Sequence, residues 1–139
     1  MGAGHLIRVA READIPRIID LVAALAASVR GPQRVCRLRT GETLVDLLRD
    51  PQGAVFVSGG GFISGRIMQT VISPDRVAFE LGWYASDRSG LRLLRAFEAW
   101  AAEQGATLIK MSANGGAAQR ILERRGYAVA EVQMVKRVG

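Results

Sequence analysis

From Phe79 to Trp100 the chain reads FELGWYASDRSGLRLLRAFEAW. An apolar strand runs into a short turn holding one glycine, Gly90, and an amphipathic helix starts directly beyond it. Arg88, Arg92 and Arg95 crowd that helix start. The helix dipole favours acidic side chains at this end, so the placement opposes the usual preference. Open backbone N–H groups with arginines around them make a site for an external anion, above all a phosphate. Other chemistry is thinly supplied. His5 is the only histidine, in a tail expected to fray, and Cys36 is the only cysteine. Neither a zinc site, a Ser-His-Asp triad nor an internal disulfide is therefore expected.

The elements that must position this segment can be read from periodicity and turn signals. Leu6 to Ala10 reads as a short strand. Asp14 caps a helix with Pro16 in its first turn, where a missing N–H costs little. Ile15, Ile18, Ile19, Val22, Leu25, Ala26 and Val29 give that helix one apolar face, and Gly31-Pro32 ends it. A shorter helix spans Glu42 to Arg49 and stops at Asp50-Pro51. Ala54 to Val57 is a strand, followed by the flexible turn Ser58-Gly59-Gly60-Gly61. Phe62 to Ile72 and Val77 to Ala85 are two more strands, joined by Ser73-Pro74-Asp75-Arg76. Turns this short dictate an antiparallel meander.

The helix Leu91 to Gln104 follows, with Gly105 at its C-cap. Thr107 to Ser112 is the next strand, reached by a parallel crossover. Ala117 to Arg125 is the final helix, closed by Gly126, and Tyr127 to Val138 alternates as a last strand. The order β-α-α-β-β-β-α-β-α-β predicts a mixed α/β fold in a single domain over 1–139. Its sheet has about six strands, mostly antiparallel, flanked by helices.

A chain of 139 residues can bury a real core. No apolar run reaches the roughly 20 residues of a membrane span, and MGAGHLIRVA is neither a signal peptide nor a myristoylation site. One cysteine fits a reducing cytoplasm. The net charge of +6 points to an acidic partner, or simply to solubility, since the basic residues are spread along the chain.

The element order, with a turn-and-helix phosphate site after the fourth strand, resembles the Gcn5-related N-acetyltransferase (GNAT) family over nearly the whole chain. IRVAREADIPRIIDLVAAL is similar to that family's first strand and helix. ELGWYASDRSGLRLLRAFEAW is similar to its acyl-CoA-binding segment, in a form seen in phage- or prophage-encoded members. RILERRGYAVAEVQMVKRV is similar to its closing helix, glycine-aromatic pair and last strand.

The resemblance implies an acyl-CoA N-acyltransferase-like fold and acetyl-CoA as cofactor. It places the pyrophosphate on the backbone of Ser89, Gly90, Leu91 and Arg92, with Arg88 beside it. The family loop reads Arg/Gln-x-x-Gly-x-Gly/Ala. Here Asp87 stands at the first position, Gly90 matches the first glycine and Arg92 replaces the second. The bland alternative is a simple turn at Gly90 with solvated arginines. By resemblance Trp83, Tyr84 and Ala85 line the pantetheine arm, with Leu81 and Gly82 nearer the acetyl group; core packing is the other reading of the two aromatics. Asn114 falls near a family position for cofactor contact, and a helix cap is its alternative.

Acetyl transfer to a primary amine needs a base for the ammonium proton, a donor for the carbonyl oxygen and a proton for the departing thiolate. Glu80, among Phe79, Leu81 and Trp83, is the candidate base, because desolvation there would raise its pKa. A salt bridge to Arg66 is the competing role. Many members carry a tyrosine acid before the glycine-aromatic pair, where this chain has Leu122. Tyr84 or a water would substitute, or the thiolate leaves unassisted. Tyr127 matches the family's buried aromatic.

The resemblance therefore implies direct acetyl transfer in a ternary complex to a small-molecule or protein amine, and it allows a homodimer. A catalytically weak or inactive acyl-CoA-binding protein is the second reading. A nucleic-acid module is the third, disfavoured because the aromatics sit on apolar faces. Arg30, Arg34, Arg37 and Arg39, between Ser28 and Glu42, would suit an acidic acceptor or form a solvated loop.

Overall fold

The computed structural model describes residues 6–31 and 33–139. The expectations for His5 and for Pro32 as a helix stop lie outside them. In chain order the elements are β1 (Arg8–Val9), a 3-10 turn (Glu12–Asp14), α1 (Ile15–Ser28), α2 (Arg37–Arg49), β2 (Gly53–Val57), β3 (Gly61–Met68), β4 (Val77–Ala85), α3 (Gly90–Glu103), β5 (Leu108–Lys110) and α4 (Gly116–Arg124). One sheet of order β1-β2-β3-β4-β5 joins the strands. Each neighbouring pair is antiparallel except β4 and β5, which run parallel. The meander and the crossover stand as the turns and periodicities predict.

Two cores sandwich the sheet. On one face Leu93, Leu94, Phe97 and Ala101 of α3, with Leu122 of α4, bury Ile63, Ile67 and Ala78. On the other, Ile18 of α1 and Leu44 and Leu47 of α2 cover Val55, Val57 and Phe62. The tightest approach between helix and sheet is at Gly65. A Cβ there would land on the Phe97 ring and 2.5 Å from the Phe79 carbonyl oxygen, which is backbone and cannot move aside. Gly65→Ala is expected to cost about 1–3 kcal/mol, read as a lower denaturant midpoint at unchanged slope.

The β3–β4 ladder is interrupted beside that glycine. Ser64 pairs with Gly82 and Gly65 with Glu80, so Leu81 is an extra residue on β4 with no partner on β3. A bulge of this kind re-aims the side chains that follow it. Glu80 shares the α3 face with Gly65. Beyond the bulge Trp83 and Ala85 pack on that same face, and Tyr84 packs with the α1/α2 core.

Four expectations are corrected. Helix α2 starts at Arg37 rather than Glu42. Gly41 is carried within it, beside α1, where a Cβ would meet Ile19 Cδ1 at an ordinary 3.5 Å. Strand β3 ends at Met68 rather than Ile72; Val71 and Ile72 are fully exposed on the loop, where Ile72 N–H donates to Thr70 Oγ1 at 3.2 Å. Asp14 does not cap α1 with its side chain. Its carboxylate instead takes two hydrogen bonds from Arg8, each 2.7 Å, and one from the Arg11 amide at 2.8 Å.

The last strand is also missing, so the sheet has five strands among the described residues. Tyr127 is anchored: its N–H donates to Leu122 O at 3.0 Å and its hydroxyl to Glu98 at 2.9 Å. Every residue from 128 to 139 is exposed and outside any strand. Alternation supplies two faces, but a strand also needs a backbone neighbour, and no ladder among the described residues includes this segment.

Candidate active site

Strands β4 and β5 pair only over Val77, Ala78 and Phe79, opposite Leu108, Ile109 and Lys110. Beyond Phe79 they separate, and the edge of β4 from Glu80 to Ala85 has no strand beside it. Glu80 stands at the fork. Its Oε1 accepts a hydrogen bond from the Ser112 amide at 2.9 Å, just past the end of β5. Burial pushes the Glu80 carboxyl up to about 7, against the lowering effect of the Ser112 N–H. The alternative role, a salt bridge to Arg66, is not what the structure shows. Arg66 pairs across the ladder with Phe79, on the face opposite Glu80, and its Nε bonds Asp50 at 3.1 Å. Glu80 has no ion pair among the described residues.

The fork opens toward the start of α3. Ser89 is the N-cap residue of that helix, yet its hydroxyl does not cap it. The Ser89 Oγ instead bonds Asp87 Oδ1 and lies 2.7 Å from Ser58 Oγ, fully buried. The amides of Gly90, Leu91 and Arg92 consequently have no acceptor among the described residues. Arg88 adopts φ 64°, the left-handed region in which a non-glycine residue is uncommon. Arg88, Arg92 and Arg95 are exposed and form no ion pair among the described residues. This is a row of open donors at the positive end of a helix, with Arg88 just before it and Arg92 and Arg95 in its first two turns.

Asp87 explains why the loop holds this shape. Its carboxylate accepts from the Gly60 amide at 2.8 Å, the Ser89 amide at 3.2 Å, the Ser89 hydroxyl and Ser58 Oγ at 3.3 Å. Burial alone would raise its pKa, but the bonds from Ser89 and Gly60 outweigh that and hold the carboxyl below the usual range. The turn at 58–61 is thus pinned to the β4–α3 loop, a correction to its reading as a flexible turn. Ser86 adds two bonds to Gly60 O, from its amide at 2.9 Å and its hydroxyl at 3.0 Å.

The other candidates fall in different places. Trp83 donates from Nε1 to Gly90 O at 3.1 Å, tying the end of β4 to the start of α3. Trp83 and Ala85 pack on the α3 core and Tyr84 on the opposite one, so the structure does not bring the Tyr84 and Glu80 side chains together. Asn114 donates to Ser28 O at 3.1 Å, and Gly115, not Asn114, is the N-cap of α4. Leu122 is buried in the α3 core, 6% exposed. In the 28–42 segment, Arg37 is committed to Asp20 at 2.7 Å. Ser58, Gly60 and Ser112 are the residues sequence reasoning missed. Two act through backbone amides, which leave no signal in side-chain type, and Ser58 reads as an ordinary turn residue.

The architecture recurs in solved structures. A glucosamine-6-phosphate N-acetyltransferase from Arabidopsis thaliana matches with TM-score 0.73 and 13% identity, covering 96% of this chain and 98% of that one. An aminoglycoside 6′-N-acetyltransferase from Acinetobacter haemolyticus matches with TM-score 0.69 and 18% identity, covering 96% and 99%. The chain shares the fold of these two acetyltransferases. A transcriptional regulator from Bacillus halodurans C-125 shares it as well, with TM-score 0.76, 17% identity and coverage of 96% and 99%. Sequence comparison is silent: no protein-family model and no curated protein matches. Within the acetyltransferase fold, no helix of the described residues is long and apolar enough to cross a membrane. No group of acidic, histidine and cysteine residues among them could hold a metal ion.

Proposed function

We propose that this chain is a GNAT-family, acetyl-CoA-dependent N-acetyltransferase that acetylates a primary amine by direct transfer in a ternary complex. The observation that carries the reading is the fork between β4 and β5. It presents a carboxyl titrating near neutrality at one end and three acceptor-free amides at the other. These residues fit the cofactor. The amides of Gly90, Leu91 and Arg92 would hold the pyrophosphate, with Arg88 and Arg92 as counter-charges. The Ser89 amide, already bonded to Asp87, is left out of that set. Those backbone groups of Trp83, Tyr84 and Ala85 that are directed away from β3 would hold the amide-bearing arm as an added strand does.

When bound, acetyl-CoA supplies the acetyl group as a thioester. Glu80 takes the proton that an incoming ammonium must lose before its nitrogen can attack. Its pKa near 7 leaves a large share ionised at neutral pH while keeping it basic enough to act. Leu122 cannot deliver a proton to the departing thiolate, and Tyr84 faces the other core, so water fills that role. The acceptor we favour is a small-molecule amine, in line with the substrates named for the Arabidopsis and Acinetobacter proteins.

The second reading, a protein that binds acyl-CoA without turnover, is favoured by one observation, the apolar Leu122 in the core. The nucleic-acid reading lacks its usual platform, since no aromatic side chain among the described residues is exposed. Calorimetric titration with acetyl-CoA, then a thiol-release assay across an amine library, separates these readings. Binding with turnover supports the proposal, binding alone selects the second reading, and no binding removes both. Arg88→Glu and Arg92→Glu are each expected to weaken binding about tenfold at low salt, with the deficit shrinking as salt rises. Unchanged affinity in both variants removes the arginines from the site.

A further inference from the structure

Three connections frame the open end of the fork: 29–36 between α1 and α2, 86–89 between β4 and α3, and 111–115 between β5 and α4. Two hydrogen bonds bring the first of them to Glu80. The Ser112 amide holds the Glu80 carboxyl at 2.9 Å, and two residues later Asn114 Nδ2 holds Ser28 O at 3.1 Å. Ser28 is the last residue of α1, so this tether fixes where the α1–α2 connection begins. Arg30 follows two residues on, and a two-residue step spans at most about 7 Å. It is exposed and has no ion pair among the described residues.

The other arginines of this region stand farther off. Arg34 is six residues beyond the tether in the chain, and Arg37 is paired with Asp20. Arg39 lines the groove between α1 and α2 with Ile15 and Ile19, which sit roughly 14–20 Å down the helix from Ser28. Asp87 is the one acidic residue in the three connections, and its carboxylate is spent on four donors. Apart from Glu80 itself, an incoming molecule therefore meets uncompensated positive charge.

We infer, resting on the acetyltransferase reading of the fork, that the acceptor is a small primary amine that also carries a carboxylate or phosphate. Arg30 takes that anionic group while Glu80 takes the ammonium proton. A planar guanidinium binds either oxyanion through two parallel N–H donors, which positions the amine as well as adding affinity. An acceptor with a second ammonium in place of the anion meets like charge and is rejected. The acceptor's anion is separate from the cofactor's phosphates, which belong to the open amides of α3.

Thiol release is measured on matched primary amines at several chain lengths, each ending in a carboxylate, a phosphate monoester, a carboxamide or a second amine. The better of the two anionic ends should exceed the carboxamide in kcat/KM by about tenfold or more, with the diamine poorest. Which anion leads identifies the natural group. Arg30→Glu should cut kcat/KM for the anionic acceptors about 30-fold. It should leave the carboxamide and the acetyl-CoA affinity unchanged. Arg39→Glu, which alters net charge equally, should keep the parent's ranking. Equal turnover of anionic and carboxamide acceptors overturns the inference while acetyl transfer stands. An Arg30→Glu protein that keeps the preference overturns it too, as does one that loses acetyl-CoA affinity, since the arginine then serves the cofactor. If no amine is turned over, calorimetric binding of the same series with CoA present decides. An anion preference erased by Arg30→Glu sustains the anion site and removes acetyl transfer; no preference removes both.

Discussion

Glu80→Gln is expected to lower kcat/KM by about 10²- to 10⁴-fold, the range that a positioned general base contributes. Glutamine keeps the shape and still accepts the Ser112 amide bond, so the loss isolates proton transfer from packing. In the parent protein kcat/KM should rise with pH through a limb near 7, set by the carboxyl that burial has raised. The variant should lack that limb. The same group leaves a mark on stability. Its folded pKa lies above its unfolded value of 4.5, so the stability it contributes is fully present below pH 4.5. It is lost as pH rises through about 7, because the unfolded chain ionises first. The loss is at most about 3 kcal/mol by the free energy equivalent of the shift. Denaturant midpoints measured between pH 5 and 8 should fall in the parent and stay flatter in the variant. Equal turnover in parent and variant would remove Glu80 as the base.

Asp87→Ala is expected to destabilise the protein by about 3 kcal/mol and to abolish measurable CoA binding. One carboxylate takes bonds from the Gly60 amide, the Ser89 amide, the Ser89 hydroxyl and the Ser58 hydroxyl. Deleting it leaves the fully buried Ser89 hydroxyl with Ser58 Oγ as its remaining partner and a desolvation penalty for each donor that water cannot reach. The freed Ser89 hydroxyl can then swing back to cap α3, which is what an N-cap serine ordinarily does. That would occupy an amide the proposed pyrophosphate needs, so affinity should fall further than stability alone explains. Asp87→Asn is the control. Its single acceptor oxygen can serve either the Ser89 donors or those of Gly60 and Ser58, while its NH2 opposes the other pair, so it should recover only part of the stability. Normal binding in Asp87→Ala would show that the loop does not need this clamp.

How much of this was legible in the chain depends on where the information resides. The meander, the crossover and α3 follow from local patterns: short turns between alternating runs, and a 3.6-residue apolar period ending at Gly105. Glu80 could be singled out because a carboxylate in an apolar strand is anomalous on its own terms. Asp87 could be noted only as a departure, since two of its four donors come from the 58–61 turn, 27 and 29 residues away in the chain. The overrun of β3 into Val71 and Ile72 has a similar cause: β-branched residues look like strand, but no neighbour extends past Met68 to pair them. The 127–138 strand is the sharpest case: its alternation reads as strand, but residues 128–138 join no ladder among the described residues.

The extra residue Leu81 has a consequence for how this chain should be compared with others. It shifts the phase of β4 halfway along, so that positions 80 and 83 share a face although their spacing is odd. A relative whose strand lacks the extra residue would keep the same order of aromatics, one position earlier. Matching the two sequences without a gap at 81 would then set Trp83 against a side chain from the wrong layer. Deleting Leu81 in this chain would make Glu80 and Gly82 consecutive partners of Gly65 and Ser64, restoring a regular ladder with Trp83 still toward α3 and Tyr84 still toward α1 and α2.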